Sequence, residues 1–238
     1  MPLDERGAVR GVIVIGASWG GLNALSTIAN ALPADFPIPV VIVQHRSKDH
    51  ESLLAPLLQD QTPLMVGEIE DKEEVCPGRI YLAPANYHTL VDGTQFSLSV
   101  DEPVRYSRPS IDVTFVSAAD NWGGRTVGVV LTGANEDGAF GLRRIADRGG
   151  YALVQDPRTA EVRTMPQGAL RAVPTARVLP LESIGPHLAA IGRRMHEGPP
   201  HAAASLLAQD LAVSADDSGG GGGGSDDPAR GPARRARR

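Results

Sequence analysis

The chain has 238 residues, 42% of them hydrophobic and 21% charged, which is enough apolar material for one large domain with a packed core. Five arginines in residues 230–238 supply +5 of a net charge of −5, so residues 1–229 carry −10, a balance that argues against a nucleic-acid surface. A single cysteine, Cys76, excludes an intrachain disulfide and any cysteine-based zinc site, and the apolar runs are too short to span a bilayer or to serve as a signal peptide. The expectation is a soluble, cytoplasmic protein without direct membrane insertion.

In chain order, Val12–Ile15 is a β-branched run that reads as a buried strand, ending in Gly16-Ala17-Ser18-Trp19-Gly20-Gly21. Leu22, Leu25, Ile28, Ala29 and Leu32 then recur at helical spacing until Pro33. Val40–Val43 is a second continuous apolar strand, followed by a helical stretch over Ser52–Leu58 and a strand at Arg79–Ala83. Tyr87–Val91 and Gln95–Val100, joined by Asp92-Gly93-Thr94, read as a β-hairpin. Ile111–Asn121 reads as a helix, Thr126–Leu131 as a strand, Gly138–Asp147 as a helix and Tyr151–Gln155 as a strand. A short helix at Gln167–Ala172, a short strand at Arg177–Leu179 and a helix at Glu182–Met195 complete the pattern. Such alternation predicts an α/β fold: three layers, doubly wound, with a mostly parallel sheet and an inserted antiparallel β-hairpin. The expected organisation is an N-terminal extension over 1–10, a catalytic domain over 11–197 and a flexible tail over 198–238. In that tail the glycine run Gly219–Gly224 and the Arg-rich end lack the apolar surface to offset chain entropy.

Gly16-Ala17-Ser18-Trp19-Gly20 satisfies G-x-S-x-G between a strand and a helix, where small neighbours let a sharp turn expose a nucleophilic hydroxyl. The following helix would aim free backbone N–H groups at the turn. Two other readings stand beside this one. One is a dinucleotide or phosphate loop, disfavoured because Ser18 replaces the middle glycine and Val43-Gln44-His45 ends the second strand without an acid. The other is a tight turn whose serine only caps a helix.

A serine needs a base, and His45 directly follows the second buried strand, at the same sheet edge as Ser18. His88 lies in the hairpin and His50 in a polar helix start, whereas His187, His196 and His201 are expected to be solvated. The orienting carboxylate is sought after the strand Thr126–Leu131, where Glu136 or Asp137 could serve. Asp137 could also merely cap the next helix, and Asp156 lies further along the sheet.

Taken together, these blocks resemble the catalytic domain of CheB-type protein-glutamate methylesterases. The resemblance runs through the serine motif, Gln44-His45, Tyr81-Leu82-Ala83-Pro84 with His88, and Arg108-Pro109-Ser110-Ile111-Asp112. It continues through Leu131–Ala139 and through Gln155-Asp156-Pro157 with Met165-Pro166. It covers about residues 10–195. It implies Ser18 as nucleophile, His45 as general base and Asp137 as its orienting acid, with Trp19, Gly20, Ala134 and Asn135 forming the oxyanion and substrate pocket through backbone or rim. Members often have threonine or alanine where Trp19 stands, and Met-Gly where Ala134-Asn135 stands. The implied substrate is a methylated chemoreceptor helical bundle, whose glutamate methyl esters would be hydrolysed and selected glutamines deamidated, with no metal or organic cofactor. A built-in receiver domain is not expected before the first strand, so regulation would fall to a separate protein. The rival function is a catalytically impaired module that binds receptor or signalling proteins. A nucleotide-binding oxidoreductase rests on fold analogy alone.

Overall fold

The computed structural model describes residues 9–45 and 53–197. His50, His201 and the 198–238 tail therefore lie outside the described residues, as does Ser52 at the start of the second expected helix.

The first half of the chain comprises β1 (Val12–Ala17), α1 (Gly21–Asn30), β2 (Val40–Gln44), α2 (Leu54–Gln59), β3 (Met65–Glu68), β4 (Arg79–Leu82), β5 (His88–Asp92) and β6 (Gln95–Ser99). The second comprises α3 (Ile111–Trp122), a 3-10 turn at Gly123–Arg125, β7 (Thr126–Val130), α4 (Ala139–Asp147), β8 (Tyr151–Gln155), α5 (Thr164–Ala172), β9 (Arg177–Leu179) and α6 (Leu181–Glu197). Seven strands form one parallel sheet in the order β3-β4-β2-β1-β7-β8-β9, and β5 and β6 pair separately as the antiparallel hairpin. This is the expected doubly wound architecture.

Both faces of the sheet are covered, which explains why its central strands are uninterrupted apolar runs. Along β1, Ile13, Ile15 and Ala17 face the core shared with α1 and α6, and Val12 and Val14 face the core under α3 and α4. All five are fully buried. Each buried valine or isoleucine contributes about 1.5–3 kcal/mol over its exposed state, so the two-sided strand is fixed firmly in register. The hairpin rides on α3, whose side chains satisfy its free backbone edge. Ser117 Oγ accepts from the Val91 amide at 3.0 Å, and Asn121 Nδ2 and Trp122 Nε1 donate to the carbonyls of Val91 and Gly93.

Two readings from the sequence are corrected and one strand is added. β3 was not anticipated: Met65 is exposed and the strand forms only as an edge partner of β4, so no hydrophobic period marks it. Leu22, expected on the apolar face of α1, is exposed in its first turn. His187, expected to be solvated, is half-buried and its Nε2 lies 2.7 Å from the hydroxyl of the buried Tyr151.

Candidate active site

In the sheet order β1 lies between β2 and β7, and the chain winds away from it in both directions. That is the switch point of an open α/β sheet, where crevices open beyond the carboxyl ends of the strands. Ser18 follows β1, His45 follows β2 and Asp137 follows β7, so all three belong to this edge. The His45 amide donates to the Ala17 carbonyl at 3.1 Å, extending the β1–β2 pairing one residue to the start of the serine turn.

The backbone of that turn is held from several sides. The Ser18 amide donates to Thr132 O at 3.0 Å, and the Ser18 carbonyl accepts from the Gly21 amide and from Gln44 Nε2 at 2.8 Å. Thr132 Oγ1 donates to the Trp19 carbonyl at 2.9 Å. Gly20 closes the turn with φ of 77°, a conformation costly for any residue with a Cβ, and is itself the N-cap of α1 with no side-chain cap bond. The reading in which Ser18 merely caps this helix is thereby overturned. Among the described residues the Ser18 hydroxyl has no hydrogen-bond partner, and the amides of Trp19, Gly20, Ala134 and Asn135 have no intramolecular acceptor. Gly133 backs Ser18: a Cβ there would stand 3.0 Å from Ser18 Cβ and 2.5 Å from Met165 Cε.

His45 and Asp137 meet directly, with 2.8 Å between Nε2 and Oδ2. An ionised carboxylate only accepts, so this contact assigns the proton to Nε2 and leaves the Nδ1 lone pair as the basic position. Asn135 Nδ2 lies 3.4 Å from Nδ1, and Asn135 Oδ1 accepts from the Asp137 amide at 3.1 Å. Asp137 is completely buried and receives three further donors: the Ser110 hydroxyl at 3.0 Å and the amides of Ile111 and Asp112 at 2.7 and 3.0 Å. Burial by itself would raise this carboxyl. The hydrogen bonds from His45 and from the Asp112 and Ile111 amides outweigh it and hold the group below the ordinary carboxylate range.

The other candidates are engaged elsewhere. Glu136 is paired with Arg171, and Asp156 takes a bidentate contact from Arg158. His88 is buried with both ring nitrogens committed, accepting the Ser110 amide at 3.2 Å and lying 3.1 Å from the Glu102 carbonyl. Asp137 does not cap its own helix either. It accepts the first amides of α3, while α4 starts at Gly138 without a side-chain cap of its own.

The rim carries Trp19, 67% exposed, with its Nε1–H donating to Glu161 Oε1 at 3.1 Å. A polar cavity of about 180 Å³ lies beneath this pair, lined by Gly20, Asn23, Thr132, Arg158 and Glu161 among others. A larger apolar cavity of about 610 Å³ runs between the hairpin and α3, with Arg105 and Asp112 at its polar end. Among the described residues no cluster of three histidine, cysteine or acidic side chains could hold a metal, and no helix is long and apolar enough to cross a membrane.

Sequence reasoning did not give Ser110 and Asp112 a role. The signal was present: Ser110 three residues before Val113 is an N-cap spacing, and Asp112 is the acid of the first helical turn. What the spacing lacks is the partner across the helix interface.

The family model described as CheB methylesterase matches residues 13–188. A Leptospira interrogans protein, provisionally named a protein-glutamate methylesterase/protein-glutamine glutaminase, is 47% identical over 173 residues, covering 72% of this chain and 90% of the relative. A protein-glutamate methylesterase/protein-glutamine glutaminase of Carboxydothermus hydrogenoformans is 42% identical over 187 residues, covering 76% of this chain, which thus spans only 55% of that relative's length. The crystal structure of the Thermotoga maritima CheB methylesterase catalytic domain superposes with a TM-score of 0.73 at 34% identity, covering 76% of this chain and 98% of that one. With the fold, the extent of the match and the identities all in agreement, the chain belongs to the CheB methylesterase family.

Proposed function

We propose that this chain is a serine hydrolase that removes methyl groups from glutamate methyl esters of chemoreceptors, and that Ser18, His45 and Asp137 are its nucleophile, general base and orienting acid. The observation that carries the reading is the Asp137–His45 hydrogen bond, which fixes the imidazole tautomer at the sheet edge that Ser18 shares. The Ser18 Oγ proton passes to Nδ1 of His45 as the oxygen attacks the ester carbonyl. The oxyanion that forms is stabilised by backbone amides free to donate, those of Trp19 and Gly20 on one side and of Ala134 and Asn135 on the other. Buried, ionised Asp137 balances the imidazolium. Collapse of the intermediate breaks the carbon–oxygen bond to the methoxy group, which leaves as methanol with the proton from Nδ1. Water then attacks the acyl-enzyme under the same base, giving glutamate and free Ser18. A glutamine side chain would follow the same route with ammonia leaving.

The proposed catalytic unit is residues 11–197, acting in the cytoplasm on the surface of a receptor helical bundle. The test is incubation with a methylated receptor fragment while following methanol release, with Ser18→Ala in parallel. Release by the unaltered protein alone is the expected result. Receptor binding without release by either protein would instead favour a non-catalytic docking module.

A further inference from the structure

We propose that Asp112 is a positioning residue for the Asp137–His45 pair, fastening the N-terminus of α4, and with it the Asp137 backbone, to the helix that grips the Asp137 carboxylate. The inference rests on the reading of Ser18, His45 and Asp137 given above. Its basis is an exchange of helix caps. Asp137, just before α4, accepts the amides of Ile111 and Asp112 at the start of α3. Asp112 Oδ1, in the first turn of α3, accepts the amides of Gly138 and Gly141 at the start of α4, at 2.9 and 2.7 Å. Each carboxylate thus sits on the positive end of the other's helix and satisfies amides that have no partner inside their own helix. Gly138, the residue bonded to Asp137, has φ of 95° and no cap from its own segment, so Asp112 is what holds it in place. The helices approach closely here. A Cβ on Gly141 would stand 2.5 Å from Phe115 Cβ and 3.2 Å from Asp112 Cα.

The arrangement carries a cost that packing alone would not require. Burial, reinforced by the Asp137 charge, pushes the Asp112 carboxyl up to about 6 against the opposing hydrogen bonds from Gly141 and Gly138. A well-fitted apolar residue would avoid that penalty but would free both amides and the end of α4. The charged groups around it are few. Arg105, in the loop before α3, has Nε 3.6 Å from Oδ2. Asp137 faces it from the segment before α4, with His45 from β2 behind, and His88 from β5 reaches the adjacent Ser110 amide. On α4, Arg143 and Arg144 are tied to Asp147 and Asp120.

The experiment compares Asp112→Ala and Asp112→Asn with the unaltered protein on a small activated ester across pH 4.5–9, together with the downfield proton resonance of the His45 Nε2–H···Asp137 bond. Asparagine keeps the acceptor oxygen without the charge. If Asp112 positions the pair, Asp112→Ala lowers kcat by about 10- to 100-fold with KM within about threefold, the range typical of misplaced catalytic geometry. Asp112→Asn restores kcat to within about threefold at pH 8. The downfield resonance persists in the asparagine variant and broadens or vanishes in the alanine variant. A folded Asp112→Ala variant with kcat within twofold of the unaltered protein overturns the proposal, as does a downfield resonance left unchanged in that variant. Should Asp112→Ala not fold, the asparagine variant decides: loss of its downfield resonance, or a fall in its kcat beyond about tenfold at pH 8, overturns the proposal. Absence of any Ser18-dependent turnover in the unaltered protein would refute the enzymatic reading instead, and the resonance would then decide the positioning role alone.

Discussion

His45 turns Nε2, not Nδ1, to Asp137, at 2.8 Å, and thereby commits its basic nitrogen to the side of the ring nearer the chain. The consequence is steric as well as electronic. Nδ1 lies next to the imidazole's own Cβ, so the nucleophile must be delivered by a backbone turn already in register with β2. The bond from the His45 amide to Ala17 O supplies that register.

Ser18→Ala should remove turnover almost entirely, by about 10⁴-fold or more in kcat, if Ser18 is the nucleophile proposed above. Stability should be nearly unchanged, since that hydroxyl has no partner among the described residues and the turn is held through its backbone. Initial rates and a urea titration measure both quantities. A variant that keeps a tenth of the activity would exclude Ser18 as nucleophile.

Asn135 Nδ2 lies 3.4 Å from His45 Nδ1, the atom proposed to take the serine proton. A weak neutral hydrogen bond of this length is worth less than about 1 kcal/mol. Asn135→Ala should thus free Nδ1 and raise kcat on a small ester by about two- to fivefold. It should also cost some stability, because the bond from the Asp137 amide to Asn135 Oδ1 is lost. A tenfold fall in kcat in a folded variant would mean that the amide group assists the reaction rather than competing with it.

Trp19 offers a largely exposed ring at the rim, restrained by Glu161. Exposed aromatics beside a site contribute to protein recognition rather than to bond-making, commonly by about 1–2 kcal/mol. Trp19→Ala is expected to leave small-ester turnover within about threefold, since its backbone amide remains. On a methylated receptor fragment kcat/KM should fall about tenfold. Equal losses on both substrates would place the indole in the chemistry itself.

Ionised Asp112 should lower stability, and the direction follows from its two protonation states. Its carboxyl rises from an ordinary 3.8 to about 6 in the fold, so the native state binds more protons than the unfolded one between those values. The stabilisation from protonated Asp112 is complete below about pH 4 and is lost as pH rises through about 6. Asp112→Asn removes this loss. Relative to the unaltered protein its unfolding free energy should improve between pH 4 and pH 8, by on the order of 2–3 kcal/mol. Urea midpoints at the two pH values measure the difference. An equal offset at both would show that Asp112 ionises alike in the folded and unfolded chain.

Periodicity alone determined much of this molecule. Val12–Ile15, Val40–Val43 and Thr126–Leu131 are apolar without alternation because they are covered on both faces, and that property placed Ser18, His45 and the segment with Asp137 at one edge before any contact was known. Local chemistry also announced the hairpin through Asp92-Gly93-Thr94. Only the tertiary structure distinguished Asp137 from Glu136, since neighbouring carboxylates in a loop have the same sequence signal. One is buried against the amides of a helix 25 residues earlier in the chain, and the other turns outward to Arg171. The exchange of caps between Asp112 and Asp137 was likewise invisible. A cap is legible in sequence when it lies within its own helix, and here each acid closes the helix of the other, a relation fixed solely by the packing of α3 against α4.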